Sequence, residues 1–470
     1  MTRKKRELHE FYLEKNIYPN KSMSTFEGEK VVFRGGLVGQ KVSGYLGKKK
    51  DGYREGTITD ILAMSFMEED YAYEIIRGSQ IDDEAEDKDS IRLCDNYDEC
   101  SGCFFQTIFI EDEIDIKVDM VRGLLDEYGI EDDFKFEANP IPFEYRNKME
   151  YSFGDSCLGG DLVLGLNKKG KYHEKTPTLG CNLIDIDFRK IRGAVESYFR
   201  EKNTPFYNKI KKEGFLKYLV IRKAHFTGEI MVHLVTSSKG ELLEEEFVNM
   251  LKSLDLKADL KSVVWTVTDS LQDAVVKGDL KILYGESFIT ESLFGLNFRI
   301  SPFSFFQPNV FSIKKLYKKV SDIIGETEKK VYDLYCGTGT ISIILSKNVK
   351  EVIGVELIEE ACEAANLNKK LNGIENVEFI CQNVDEYIEN LDGENSIVVL
   401  DPPRSGISPK TIGKLIDKKA SKIIYISCNP KKLMEDAVKL KDAGYKIKDI
   451  FVFDQFTRTY HLEMVMVFEI

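Results

Sequence analysis

The sequence predicts a multi-domain α/β protein that ends in a doubly wound parallel sheet. Three patterns carry this reading. From about residue 312, short apolar strands alternate with helical stretches, as βαβ units do. Residues 17–65 show short apolar alternations broken by Gly28, Gly35-Gly36, Gly39, Gly44, Gly47 and Gly52, which suits a small β-barrel. Residues 106–300 mix helix and strand without that regularity, as a central α+β domain.

In chain order, residues 1–16 read as a charged helical extension and 17–65 as the barrel, with strands at 31–33 and 56–62. Residues 66–300 form the central region, acidic at first and then cysteine-bearing. Helices are expected at 114–128 and 188–202, and strands at 216–223, 230–236 and 263–267. Residues 301–470 are the doubly wound domain. Its strands fall at 331–335, 352–356, 377–381, 397–400 and 423–427, with helices at 358–371 and 431–443. The run 462–468 is a strand with no helix after it, expected at an antiparallel edge.

The chain has 470 residues, 43% hydrophobic and 31% charged, within the range of soluble globular proteins. No apolar run approaches the length of a membrane span, and the polar start lacks a signal-peptide core. A cytoplasmic location without membrane contact is therefore expected. In that compartment nine cysteines are core, metal or catalytic residues and not a disulfide framework. The net charge of −13 is uneven: residues 1–57 carry +6 and residues 68–99 carry −10. The basic start leaves RNA open as a partner, since local field governs such contacts.

Cys428 is the most telling residue. It ends the apolar run 423–427 in Ile426-Ser427-Cys428-Asn429-Pro430, downstream of Asp401-Pro402-Pro403-Arg404. The turn Asp333-Leu334-Tyr335-Cys336-Gly337-Thr338-Gly339-Thr340 opens this domain, and Glu356 tips the next strand. Two glycines allow close approach of a ligand, and a carboxylate at Glu356 accepts hydrogen bonds from ribose hydroxyls. Asn383 lies where an adenine edge would sit. The third glycine of the dinucleotide fingerprint is missing. The pattern resembles the S-adenosylmethionine methyltransferase fold more than a nicotinamide enzyme.

A thiol, a base and a methyl donor are what methylation of uracil C5 requires, because C5 becomes nucleophilic only after a thiolate adds to C6. The catalytic half resembles the RNA 5-methyluridine methyltransferase family. The matching segments are Ser304-Phe305-Phe306-Gln307-Pro308-Asn309, 333–340, Asp401 to Gly406, Ser427 to Pro430, and Asp454-Gln455-Phe456 through His461-Leu462-Glu463. The resemblance implies that Cys428 is the nucleophile and Glu463 the base. It places Asp401 in the catalytic site and assigns Gln307, Tyr335, Gly337, Thr340, Glu356, Asn383 and Asp401 to the cofactor, with Arg404 organising its loop. Thr340 stands where the family often has Asn. Thr457 stands where it commonly has proline, which predicts a looser loop.

Cys94, Cys100 and Cys103 are followed much later by Cys181. Three thiols within ten residues suggest metal, and spacing alone does not choose zinc or iron–sulfur. Members of the same family with this arrangement hold a 4Fe-4S cluster, so the resemblance implies that these four cysteines are its ligands. Cys157, Cys336, Cys362 and Cys381 read as scattered structural residues. The amino-terminal barrel is similar to the family's TRAM domain, an oligonucleotide-binding type. Lys41, Lys48, Lys49, Lys50 and Arg54 stand for its basic rim, and Phe33, Tyr45 and Tyr53 for its aromatic face. Arg146 and Lys148 are candidates for phosphate contact.

The reading is therefore a uridine C5 methyltransferase acting on 23S ribosomal RNA, since the family's transfer-RNA branch typically lacks the four cysteines. Transfer RNA is the alternative, and no obligate protein partner is implied. A non-catalytic iron–sulfur RNA-binding protein would lack Cys428 or Glu463. Cytosine C5 enzymes tend to carry a second cysteine where Asp401-Pro402-Pro403 stands. Adenine N6 enzymes place an aromatic where Arg404 stands.

Overall fold

The computed structural model describes residues 7–78 and 94–470; the basic start and most of the acidic run lie outside them. Strands 8–12, 41–50, 53–63, 29–34, 21–26 and 15–17 form, in that order, a six-stranded sheet. Phe11, Leu13, Val31, Phe33 and Val42 are its buried core. Residues 8–12 and 15–16, expected as part of the helical extension, are thus strand. The cause is a period of two: Phe11 and Leu13 are buried while Leu8 and Tyr12 are exposed, and Leu8–Tyr12 pairs antiparallel with 41–45.

The central sheet has seven strands, in the order Lys171–Pro177, Leu162–Lys168, Lys148–Asp155, Leu216–Ala224, Glu229–Thr236, Asp259–Val267 and Asp279–Gly285. Helices Ile186–Glu201 and Glu244–Lys252 cover it through Phe188, Ile191, Phe199 and Phe247. The expected helices and strands of this region stand within a few residues of their places. Asp185 starts the first helix by accepting the Asp187 N–H at 3.0 Å.

The third sheet runs Val377–Cys381, Val352–Glu356, Lys330–Leu334, Ser396–Leu400, Lys422–Ser427, Glu463–Glu469, Lys446–Phe453, Lys135–Glu137. Its first five strands are parallel, with near-continuous apolar sequences because helices bury both faces. The last strand of the chain is not an edge. Glu463–Glu469 inserts antiparallel between Lys422–Ser427 and Lys446–Phe453. It is buried from Glu463 to Phe468, which is why it reads as an unbroken apolar run. The edge is Lys135–Glu137, a strand from the region assigned to the central domain.

That segment corrects the expected boundary further. Helix Ile110–Glu127 buries Ile116, Met120, Val121, Leu124 and Leu125 in the same core as Tyr425, Leu433, Ile450 and Val452. The hairpin Ile289–Leu293 and Leu296–Ile300 shares a core with Val399 and Ile424. The catalytic domain therefore takes in residues from both sides of the central sheet.

A buried ion network holds helix Ile110–Glu127 to the loop before Glu463. Lys117 Nζ lies 2.6 Å from Glu113 and 2.8 Å from Asp454, all with virtually no exposed side chain. Burial opposes the Lys117 charge, but the two carboxylates outweigh it and hold its pKa above the usual range. Arg458, fully buried with a left-handed φ of 69°, gives its N–H to Glu113 at 2.7 Å and its guanidinium to the carbonyls of Phe105 and Ile108. Thr457 accepts from Asn139 at 2.9 Å and donates to Asp454 at 3.1 Å, while Tyr145 donates to its carbonyl at 2.9 Å. A threonine in place of proline thus tightens this loop.

Lys117→Met leaves Glu113 and Asp454 buried without their shared cation. Urea unfolding of the catalytic domain is expected to show a loss of about 3–5 kcal/mol. A loss below about 1 kcal/mol would show that the network is dispensable.

Candidate active site

Asp401 and Cys428 follow the carboxyl ends of the parallel strands Ser396–Leu400 and Lys422–Ser427, and Glu463 begins the antiparallel strand beside the second, at the same edge of the sheet. Each is placed by local chemistry. Strand Lys422–Ser427 stops at Cys428 because Pro430 has no N–H for the ladder and fits the first turn of helix Pro430–Asp442. Ser427 Oγ accepts the Asn429 N–H at 3.1 Å, and Asn429 Nδ2 donates to the Arg404 carbonyl at 3.1 Å. The Cys428 turn and the Asp401–Arg404 turn are thereby tied together. Arg404 itself lies 3.4 Å from His461 Nδ1.

Cys428 is part-exposed, with Glu463 and Asp401 beside it. Burial, then the charges of Glu463 and Asp401, push its thiol up to about 11, and Arg404 works against them. Glu463 is only 5% exposed, and burial with Asp401 nearby holds its carboxyl well above the usual range. Asp401 is pushed up to about 7 by burial and by Asp333. Asp333 is likewise pushed up to about 7, chiefly by burial; one oxygen accepts from Ser342 at 2.6 Å and the other is buried without a partner. Burial and repulsion thus act together on a thiol and three carboxyls, with Arg404 the opposing charge at Cys428.

Gln307 sits on the opposite wall. Asn309 caps helix Val310–Ile324 by accepting from Phe311 and Ser312, and donates to the Gln455 carbonyl at 3.0 Å. The Gln307 loop is thereby fastened to the Glu463 loop. The Gln307 side chain bonds Tyr317, a buried phenol facing Asp401, Asp333 and Glu463.

The glycine turn forms the far end. Gly337 has φ 53° and nothing within 4 Å of where a Cβ would stand, so its backbone is open to a ligand. Gly339 has φ 76°, and a Cβ there would lie 2.4 Å from the Phe379 ring. Thr340 starts the buried helix that follows. Glu356 accepts the Gly337 N–H at 3.0 Å and the N–H groups of Leu357 and Ile358 at 2.8 and 2.9 Å. The Tyr335 hydroxyl turns to Thr411 and not into the turn. Asn383 is exposed and caps the next helix by accepting from Asp385 at 2.8 Å.

A cavity of about 600 Å³ is lined by Cys428 and also by Cys94, Cys100, Cys103 and Cys181. The four thiols feel one another's charge. Each accepts an N–H: Cys94 from Asn96 and Asn182, Cys100 from Gly102, Cys103 from Gln106, and Cys181 from Leu183. Among the described residues, no three His, Cys, Asp or Glu side chains converge on a single-ion position.

The wall between the two groups is basic and aromatic: Arg146, Lys148, Arg222, Phe305, Phe456 and His461. Arg222 was not singled out from the sequence, although one arginine in the apolar strand Leu216–Ala224 is a signal. It is 4% exposed, holds the Ser304 carbonyl at 2.7 Å, and burial lowers its pKa to about 10. Phe305 is 69% exposed.

On the amino-terminal sheet, Phe33 is fully buried and not part of an exposed face, because it packs over Gly56 on the neighbouring strand. Lys41, Lys49, Arg54 and Lys50 pair with Glu10, Glu29, Glu29 and Glu55. A second cavity of about 580 Å³ is lined by Lys21, Arg34, Lys48, Lys50 and Tyr53. No described helix is long and apolar enough to cross a membrane.

Comparison with known proteins agrees with this architecture. Residues 277–469 match the family model for tRNA (uracil-5-)-methyltransferase. An uncharacterized RNA methyltransferase of Clostridium tetani is 40% identical over 470 residues, covering 99% of this chain and 98% of that protein. Another, of Caldanaerobacter subterraneus subsp. tengcongensis, is 38% identical over 447 residues, 94% of each. The fold is shared with the Pyrococcus abyssi tRNA (uracil-54, C5)-methyltransferase in complex with S-adenosyl-L-homocysteine, at 24% identity and a TM-score of 0.74, over 98% of this chain and 100% of that one. With relatives this similar over nearly its whole length and a uracil-5 family match across its catalytic half, the chain belongs to the RNA 5-methyluridine methyltransferase family and is an RNA (uracil-5-)-methyltransferase.

Proposed function

We propose that the protein transfers a methyl group from S-adenosylmethionine to uridine C5 of 23S ribosomal RNA, through a covalent bond between Cys428 and C6. The observation that carries this is the meeting of Glu463 and Asp401 with Cys428, which lines a cavity with a basic, aromatic wall. The Cys428 thiolate adds to C6 and pushes electrons into the ring, so that C5 becomes the nucleophile. S-adenosylmethionine supplies the electrophilic methyl. Glu463 then takes the C5 proton, the C5–C6 double bond re-forms, and the thiolate leaves. Both groups act deprotonated, and Pro430–Asp442 turns its positive helix end toward Cys428.

The cofactor fits the residues present. The Gly337 backbone is open, Asp333 has a buried oxygen without a partner, and the carboxyl crowd suits a sulfonium cation. In this reading Gln307 and Asp401 lie toward the sulfonium end, Glu356 takes the ribose, and Gly337, Thr340, Asn383 and the Tyr335 backbone line the rest.

Cys94, Cys100, Cys103 and Cys181 are assigned to a 4Fe-4S cluster. A zinc site brings its thiolates within about 3.8 Å of one another. Four thiols line one cavity, and N–H groups aimed at each sulfur suit thiolate ligands. The amino-terminal sheet is assigned as an oligonucleotide-binding (TRAM) barrel, with its groove of Lys21, Arg34 and Lys48 tracking the RNA backbone. The base must be extruded to reach Cys428, so a loop or opened strand is the target. Transfer RNA is the second reading. It is favoured by the family model and by the substrate of the Pyrococcus abyssi enzyme.

Tritium release from uracil C5 tests the reaction, with 23S ribosomal RNA and transfer RNA run in parallel. Release is expected to require S-adenosylmethionine and to vanish in Cys428→Ala, with ribosomal RNA the better substrate. Release that persists in Cys428→Ala would sink the thiolate mechanism.

The pH dependence follows from the raised thiol and carboxyl. Both must lose protons to act, so kcat/KM is expected to climb from pH 6 to 9 with no descending limb from either group. A cation bound beside these carboxyls makes a second difference. An amine-bearing cationic analogue of the cofactor is expected to lower the midpoint of Cys428 alkylation by about 1 pH unit relative to neutral S-adenosylhomocysteine. Equal midpoints with the two ligands would refute an electrostatic link between sulfonium and thiol.

A further inference from the structure

Two thiols outside both the Cys428 site and the four-cysteine group meet at the tip of strand Val352–Glu356. Cys381 ends Val377–Cys381, and the parallel register sets it beside Glu356. Cys362 lies in the first turns of Glu359–Leu371. The two thiols are close enough for Cys381 to raise the pKa of Cys362. Cys362 Sγ donates to the Glu356 carbonyl at 3.4 Å, and Cys381 Sγ to the Leu357 carbonyl at 3.8 Å. The pair therefore clasps the Glu356–Leu357 turn from behind. The Glu356 carboxylate is fastened on the other side by the N–H groups of Gly337, Leu357 and Ile358. Cys381 is exposed and Cys362 is buried. Cys336, in the glycine turn, feels the charge of Cys362.

We propose that Cys362 and Cys381 form a dithiol site that low-molecular-weight disulfides oxidise to a Cys362–Cys381 bond, and that this bond weakens cofactor binding at Glu356. The chemistry balances. The exposed Cys381 attacks first as a thiolate, cleaving the S–S bond of the reagent and releasing one thiol. Cys362 loses its proton to solvent and attacks the Cys381 sulfur, releasing the second thiol. The two protein thiols are oxidised by two electrons, and the reagent is reduced by two. Burial, with Cys381 beside it, pushes the Cys362 thiol up to about 12, which fits it for the second step and not the first.

The covalent bond is shorter than the non-bonded contact it replaces. It draws the start of helix Glu359–Leu371 toward the end of Val377–Cys381, and the Glu356 turn lies between them. A shift of this kind in a fastened carboxylate costs about tenfold or more in affinity. The effect on the cofactor rests on the assignment of Glu356 to the ribose; the bond itself does not.

The test uses the full-length protein under anaerobic conditions, titrated with glutathione disulfide. Peptide mapping without reduction reports the bond, and calorimetry reports the affinity for S-adenosylhomocysteine. A Cys362–Cys381 crosslink, about tenfold weaker binding reversed by dithiothreitol, and no response in Cys381→Ser are expected. No crosslink, a Cys336–Cys362 crosslink, or a crosslink with unchanged affinity overturns the proposal. Reduced protein that fails to bind S-adenosylhomocysteine overturns the cofactor assignment and the coupling with it. The peptide map then judges the dithiol by itself.

Discussion

The site depends on one buried cation. Lys117 neutralises Glu113 and Asp454 from a helix that belongs in sequence to the central region and in space to the catalytic core. Asp454 opens the loop that leads to Glu463, so the position of that carboxyl is set by a residue more than 300 positions earlier. A buried ion network is weak evidence of net stability, because desolvation offsets most of its attraction. It does impose one geometry. Glu113 holds the Arg458 backbone, and Arg458 in turn holds the carbonyls of Phe105 and Ile108. Phe104 gives its N–H back to the Arg458 carbonyl at 2.7 Å. That contact adjoins Cys103. The base loop and the four-cysteine segment are thereby one mechanical unit, joined by bonds that water cannot reach.

This coupling gives the cysteine group a role that needs no redox chemistry. Whatever holds Cys94, Cys100, Cys103 and Cys181 together also holds Phe104 and Phe105, and through Arg458 the loop that aims Glu463. Gln106 makes the same link by donating to the Cys103 sulfur at 3.3 Å while its amide pairs with Asn182 beside Cys181. A structural clip at this point acts on catalysis through placement.

Contiguous features were legible in the sequence. The parallel strands announced themselves as apolar runs because both faces of that sheet are covered, and the motifs around Gln307, Asp401, Cys428 and Glu463 each lie on one turn. Features that depend on distant pairing were not. Residues 8–16 follow a run of charged residues, and only their partner strands make them β. Glu463–Glu469 looks like a terminal edge until Lys446–Phe453 closes on its far side. Thr457 seemed a loss of stiffness because its three partners, Asn139, Asp454 and Tyr145, come from two regions of the chain. Cys362 and Cys381 are nineteen residues apart and look scattered; parallel register brings them together. Tyr317 reads as helix core, and its hydroxyl acquires meaning only beside Gln307.

The electrostatics explain why so unfavourable a site persists. Asp401 and Glu463 push the Cys428 thiol up, Asp401 does the same to Glu463, and Asp333 to Asp401. Arg404 acts in the opposite sense on Cys428, but it is exposed and lies 3.4 Å from His461 Nδ1. Under the proposed reaction the sulfonium of the methyl donor is the cation that offsets the repulsion, which ties formation of the thiolate to the presence of a methyl group to transfer.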